Sequence, residues 1–361
     1  MQPQLLIVQP YLTAYRLPVF AELAKHFGDV ILVSSPPSAN SGFGRPSIAN
    51  TAIRSHLLLP ERRLFGGRLH WQQGLVRLLI ETRPTKLLIA ANPRSLSFWA
   101  ALFACRWLGV SCYSHGQGLY NKPNPPAWLV GAYKILVRFS KCYICYTTSG
   151  MESLQSQGIT GRLTVAENSL QLTATCRPSE KSGTEMGVLF LGRLRAGCNL
   201  SLLVSSLDAA RRKTGFNLQL HVIGDGELAA ELQAEHATQK WITWHGEIYQ
   251  QDQIRVIAQH CRVGCHPGDA GLSVVHCMGL SLVPVIHDRL DLHMGPEPSY
   301  VCDGGNGRRF SHADAEQSLL NVLTELFTAN NHHMASAAFD TYHTLSHPPL
   351  AKRLLRVLNE H

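Results

Sequence analysis

The feature that most restricts the fold is an alternation of short apolar runs with longer amphipathic segments. Such alternation is the signature of βαβ units wound around a parallel sheet. In the first half, Gln4–Gln9, Asp29–Ser34, Lys86–Ala91, Val110–Ser114 and Cys142–Thr147 read as strands. Tyr15–Phe27, Gly67–Thr82, Leu96–Leu108, Trp128–Phe139 and Gly150–Gln157 read as the helices around them. The pattern lapses over polar Thr173–Gly183, which contains Pro178 and reads as a linker. It then restarts. Gly187–Leu191, Leu218–Ile223, Trp241–Trp244, Cys261–His266 and Val283–Ile286 are expected strands. Asn199–Thr214, Glu227–Ala237, Asp252–Gln259 and Leu272–Met278 are the expected helices between them, with two more near Asp314–Thr328 and Pro349–His361. A chain of 361 residues can fill two cores of ordinary size. The reading is an α/β protein of two doubly wound Rossmann-like domains, 1–172 and 186–342, joined by 173–185. Sheets of this kind bind ligands at the carboxyl ends of their strands, where the strand order reverses. The cleft between two such domains is the expected site.

Charge adds a direction. Residues 1–180 hold 18 Lys or Arg and 7 Asp or Glu, whereas residues 181–361 hold 15 and 18. The first half is therefore strongly basic and expected to face an anionic partner. Within it, Arg54, Arg62, Arg63, Arg68 and Arg77 interleave with Leu57–Leu59, Leu64, Phe65 and Trp71, a basic amphipathic surface suited to an anionic membrane face. The same segment also reads as an ordinary solvated face over an apolar inner side. No nucleic-acid reader motif accompanies these cations, so nucleic acid is not the expected partner. Met1–Pro10 has no basic residue ahead of Leu5–Val8, and that apolar run is too short for a secretory leader. Leu96–Tyr113 is the longest apolar stretch, but it contains Arg106 and passes through Gly109; it reads as a buried helix followed by a strand. Ten cysteines without a leader suggest reduced thiols and a cytoplasmic setting. Cys142 and Cys145 form a CxxC, but strand alternation sends them to opposite faces and no second pair stands at zinc-site spacing.

The chemistry is concentrated in three strand-to-helix turns of the second half. Phe190-Leu-Gly192-Arg193-Leu194 places a glycine and an arginine between a strand and a helix. Backbone N–H groups and a guanidinium at such a turn suit a diphosphate, although the same residues also describe a tight turn with a surface arginine. Gly224-Asp-Gly226 is a second such turn. The third is Cys265-His-Pro-Gly-Asp269-Ala-Gly271-Leu272-Ser273-Val-Val-His276, which puts Gly271 at a helix start and His276 on its first turns.

Taken in order, these turns resemble the retaining family-4 glycosyltransferases of the GT-B fold, in the branch that makes bacterial surface polysaccharides. The late elements Met294-Gly-Pro-Glu297 and Asp303-Gly-Gly-Asn306-Gly307-Arg-Arg-Phe310 also resemble that family. So do Tyr15-Arg-x-Pro18-x-Phe20-x-x-Leu23, Tyr113-Ser-His115-Gly116 and, without its final Asp, Asn168-Ser-Leu170. The resemblance implies two Rossmann-like domains facing across a cleft, with the last segment, 343–361, a helix packing back toward the first domain. It implies transfer of a sugar from a nucleotide-sugar donor, with retention, to a lipid-pyrophosphate-linked or polysaccharide acceptor at the inner membrane face. Arg193 and His115 would be catalytic. Gly192, Arg195, Gly224, Gly226, Asp269, Gly271, Leu272, Ser273 and His276 would hold the donor. No cofactor or metal is implied; Asp288-Arg-Leu-Asp291 lacks the spacing of a DxD motif. The chain departs from the family at two places. Cys198 stands where a lysine is expected, and the family's Glu-x7-Glu falls on Gly268 and His276. These departures keep a binding-only homologue open as an alternative. A nucleotide-sugar 2-epimerase on the same fold is a further one, disfavoured by the scarcity of acids around Arg193 and Gly271.

Overall fold

The computed structural model describes residues 4–36, 46–120, 122–182, 184–330 and 332–360. Met1–Pro3, Gly183 of the expected linker and His361 of the expected last helix lie outside the described residues. The chain divides into two compact units, Met1–Asn168 with Pro348–His361, and Ser169–His347.

The first unit runs β1 (Leu5–Val8), α1 (Leu17–Phe27), β2 (Val30–Ser34), β3 (Ser55–Leu58), β4 (Glu61–Leu64), β5 (Leu69–Gln72), α2 (Leu75–Thr82), β6 (Lys86–Ala90), α3 (Leu96–Leu108), β7 (Ser111–Gly116), α4 (Ala127–Phe139), β8 (Cys142–Cys145), α5 (Thr148–Ser156) and β9 (Leu163–Val165). Seven strands form a parallel sheet in the order β3-β2-β1-β6-β7-β8-β9. Strands β1 and β2 are buried along their whole length, because helices cover both faces of the sheet. One face packs on Phe98, Leu136 and Tyr143, the other on Phe20, Leu23 and Tyr113. Cys142 joins the second of these cores and Cys145 the first, so the CxxC is split across the sheet; both thiols are free. Helix α3 stops at Gly109, whose φ of 72° is a left-handed cap, and β7 follows at once. No helix among the described residues is long and apolar enough to cross a membrane.

Two expectations need correcting here. Gly67–Thr82 is not one helix. Gly66 and Gly67 take φ of 67° and 85° and reverse the chain, so Leu69–Gln72 pairs antiparallel with Glu61–Leu64. Helix α2 begins only after Gly74. The basic segment is therefore mostly a hairpin, with Arg62 opposite Trp71. Likewise β7 does not end at Ser114 as expected but runs on to Gly116, so His115 lies inside the strand, in register with Ala90 of β6.

The second unit runs β10 (Gly187–Leu191), α6 (Leu200–Thr214), β11 (Gln219–Ile223), α7 (Ala229–Glu235), β12 (Ile242–Gly246), α8 (Gln251–Ala258), β13 (Cys261–Cys265), α9 (Ser273–Gly279), β14 (Val283–His287), β15 (Arg308–Phe310), α10 (Ala315–Thr328) and α11 (His332–Ser346). Its six parallel strands follow the order β12-β11-β10-β13-β14-β15, which reverses between β10 and β13. Residues 173–182 and 184–185 are packed onto this unit. Cys176 is buried, its N–H donates to the Gly279 carbonyl at 3.2 Å, and Lys181 Nζ donates to the carbonyls of Ala258 and Cys261 at 2.8 and 2.6 Å. The final helix, α12 (Leu350–Glu360), buries Leu350, Leu354, Val357 and Leu358 in the first unit's core beside Leu5, Ile7 and Phe20.

Candidate functional site

Three turns of the second unit meet at the carboxyl ends of β11, β10 and β13, where the strand order reverses. The first two are joined backbone to backbone. Gly192 N–H donates to the Ile223 carbonyl, Leu194 N–H to the Asp225 carbonyl and Leu228 N–H to the Leu194 carbonyl, each at 3.0 Å. Gly224 marks the closest approach. A methyl group built on it would overlap the Gly192 carbonyl oxygen and lie 2.9 Å from the Gly192 carbonyl carbon. Gly226 abuts the Leu194 carbonyl in the same way. These two glycines are explained by the contact between turns, whatever ligand the turns hold.

The third turn closes on the first. Asp269 N–H donates to the Gly197 carbonyl at 2.9 Å, and Arg195 Nη2 pairs with Asp269 Oδ2 at 3.2 Å. Arg195 Nη1 also donates to the Ala196 carbonyl at 2.9 Å. Arg195 and Asp269 thus balance each other's charge, and the pair is too exposed to stabilise by more than ~0.2–1 kcal/mol. Arg193 is half-buried, and its Nε is shielded from solvent. Gly271 and Leu272 lead into α9, whose first residue is Ser273. The leading N–H groups of a helix have no partner within it. His276 lies further along α9 and is buried. Cys198, where the resemblance leads one to expect a lysine, is buried in the core with Leu194 and Leu200.

A group of histidines that no local sequence pattern brings together flanks these turns. The His266 ring stacks on Phe190, centroids 5.0 Å apart, and reaches to 3.0 Å of where a Gly192 methyl would stand. His287 and His293 stack at 3.8 Å with planes 7° apart. His293 Nδ1 accepts from Ala270 N–H and its Nε2 donates to the His287 carbonyl, both at 3.1 Å, so one tautomer fits. The carboxylate of Glu297, itself buried, lies beside Gly295 and Gly271. Among the described residues no group of His, Cys, Asp and Glu has a metal-holding arrangement.

Burial keeps these imidazoles neutral. It pushes His266 and His276 down to about 4, and His287, with His293 and His312 adding repulsion, down to about 3. An unfolded histidine takes up its proton near ~6.5. The stabilisation is therefore complete above that pH and is lost as pH falls from there toward the folded values, by up to ~1.4 kcal/mol per pH unit for each ring. Urea unfolding at falling pH should show the midpoint dropping through this window. His276→Gln should flatten the slope; a wild-type midpoint constant across the window refutes the account.

In the first unit, His115 is buried near the carboxyl end of β7, with its ring 4.4 Å from that of Tyr146. Burial, with the Arg16 cation adding, pushes its pKa to about 3. Arg16 hydrogen-bonds Asn168 and lies over the rings of Tyr15 and Tyr146, at 5.5 and 6.0 Å. Arg16 and Tyr146 were not singled out as site residues. Arg16 did stand in the quoted Tyr15-Arg-x-Pro18 string, where it read as part of a helix.

The turns described above lie inside a recognisable region. Residues 185–328 match the model of the family described as glycosyl transferases group 1. The solved HepE of Anabaena, in complex with UDP, superposes with a TM-score of 0.71 at 14% identity, over 100% of both chains. A lipopolysaccharide outer core galactosyltransferase, WaaB, gives a TM-score of 0.67 at 14% identity over 99% of both chains. The chain has the GT-B fold. Its second unit carries the glycosyl transferases group 1 match, and both sheets bear out the expected parallel, doubly wound architecture. No curated protein matches it in sequence.

Proposed function

We propose that this GT-B chain is a retaining glycosyltransferase, taking a sugar from a nucleotide-sugar donor to a lipid-pyrophosphate-linked or polysaccharide acceptor in cell-surface glycan biosynthesis. The observation that carries the reading is the convergence of the Gly192, Gly224 and Asp269 turns at the reversal point of a sheet inside the family match. The UDP in HepE and the galactosyltransferase name of WaaB support the donor class and the glycan setting. In this reading Arg193 and the amides around Gly271–Ser273 meet charge developing on the leaving diphosphate. His115, neutral at working pH, hydrogen-bonds the sugar. Because a guanidinium and amides meet the diphosphate, turnover needs no metal and survives EDTA. The basic first half holds the protein at the cytoplasmic face of an anionic membrane, near a lipid-linked acceptor.

The test is incubation with a panel of nucleotide sugars and an acceptor extract, following free nucleoside diphosphate. Release with one donor, unaffected by EDTA, is expected. One feature favours a second reading, a binding-only homologue: neither Gly268 nor His276 supplies the family's carboxylate. Tight nucleotide binding without release from any donor would establish that reading and refute the first.

A further inference from the structure

We infer that the protein docks on anionic phospholipid through the end of the first unit formed by α3 and α4, and not through the β4–β5 hairpin. The inference rests on the membrane reading above and says which surface serves it.

Between Glu81 and Glu152 lie 70 residues without one Asp or Glu, carrying eight Lys or Arg, equal to the net charge of the whole chain, +8. The fold gathers five cations from this stretch and from Arg162. A concave pocket of about 1120 Å³ is lined by Arg106, Lys134, Arg138, Lys141 and Arg162, with no acid in its wall. It lies at the amino edge of β7, β8 and β9, the opposite end of the sheet from His115. Among the described residues none of the five forms an ion pair. The ends of α3, α4 and α5 adjoin the pocket, each contributing about half a negative charge. Three such ends offset less than half of five positive charges, so a strong positive field remains.

The two helices whose ends line this pocket carry exposed aromatic side chains. On α3, Trp99, Phe103 and Trp107 recur every fourth residue and so share a face, and Trp107 is 81% exposed. Trp128, Ile135 and Phe139 are exposed on α4. Phe139 lines the pocket and meets Phe103 edge to face at 5.3 Å, which joins the two helices' aromatics. Exposed tryptophan beside a cluster of unpaired cations matches the interfacial zone of a bilayer, with rings at headgroup depth and phosphates on the cations. The hairpin is a poorer match. Its own cations, Arg62, Arg63 and Arg68, share the hairpin with Glu61, and the flanking Arg54 and Arg77 are held by Asp29 at 3.2 Å and by Glu81 at 2.6 Å.

Vesicle flotation of the full chain tests this, using phosphatidylcholine with and without phosphatidylglycerol at low and high salt. The wild type should float only with phosphatidylglycerol, and less at high salt. The combined variant Arg106→Glu, Lys134→Glu, Arg138→Glu should lose about tenfold or more of its partitioning. Trp107→Ser should also weaken it, while Arg62→Glu, Arg63→Glu should bind as wild type. All these side chains are exposed or half-buried, and unchanged thermal melts will confirm intact folding. If the hairpin variant loses binding and the pocket variant keeps it, the membrane reading stands and this assignment falls. If the wild type ignores phosphatidylglycerol, the membrane reading itself fails. A lipid-free dimer abolished by Trp107→Ser would show that a second copy covers this face, and would also overturn the assignment.

Discussion

Arg193→Ala should lower nucleoside-diphosphate release about 10²–10³-fold, the cost of deleting one preorganised donor to developing charge. The variant should fold normally. Arg193 is only half-buried, and the hydrogen bonds that hold its turn run through backbone atoms of Gly192 and Leu194, which alanine leaves in place. The loss should fall on kcat more than on KM, because the charge grows as the diphosphate departs. Arg193→Lys separates charge from shape. A lysine keeps a cation but not the planar fork, and should recover only part of the rate. Arg195→Ala is the internal control. Its guanidinium is already committed to Asp269 and to its own turn, so its removal should cost much less turnover. Equal losses at the two positions, or none at Arg193, would remove Arg193 from the site.

Why one arginine and not the other carries the expectation was only half legible in the sequence. The periodicity of apolar residues located every long strand of both sheets, because a parallel strand buried on both faces is a continuous apolar run. It failed where that logic does not apply. Strands β3, β4 and β15 are only partly buried, and the hairpin's apolar residues happened to fall at helical spacing. Helix α11 escaped because its buried face is made of Met334, Ala338, Tyr342 and Leu345 among several histidines, a weak apolar signal. The turns were found by their glycines. What those glycines do was not legible: Gly224 and Gly226 let one turn touch another, a contact between residues about thirty apart in the chain. The pairing of Arg195 with Asp269 and the gathering of His266, His287 and His293 are also products of tertiary packing. No local pattern announces them.

The same packing changes the meaning of the two departures from the family pattern. By the resemblance, Cys198 stands where a lysine is expected and Gly268 where a glutamate is expected, and in the sequence these look like separate losses. In the structure they are one junction. A methyl group built on Gly268 would overlap the Gly197 carbonyl oxygen and lie 2.8 Å from the Cys198 carbonyl carbon. Gly197, at φ 89°, turns the chain into that space, and Cys198 follows into the core. The first turn thus occupies the volume that an acid at 268 would need. Gly268→Glu should therefore fail to restore a working carboxylate. It should destabilise the second unit by about 3 kcal/mol through overpacking, which for a domain of this size lowers Tm by about 6–12 °C. Cys198→Lys should be no better tolerated, since it carries an ammonium into an apolar core. Differential scanning calorimetry of both single variants, together with turnover of Gly268→Glu, decides the matter. A Gly268→Glu protein as stable as wild type and faster in turnover would mean that the 197–198 turn yields readily, and that the chain departs from its relatives by composition and not by shape.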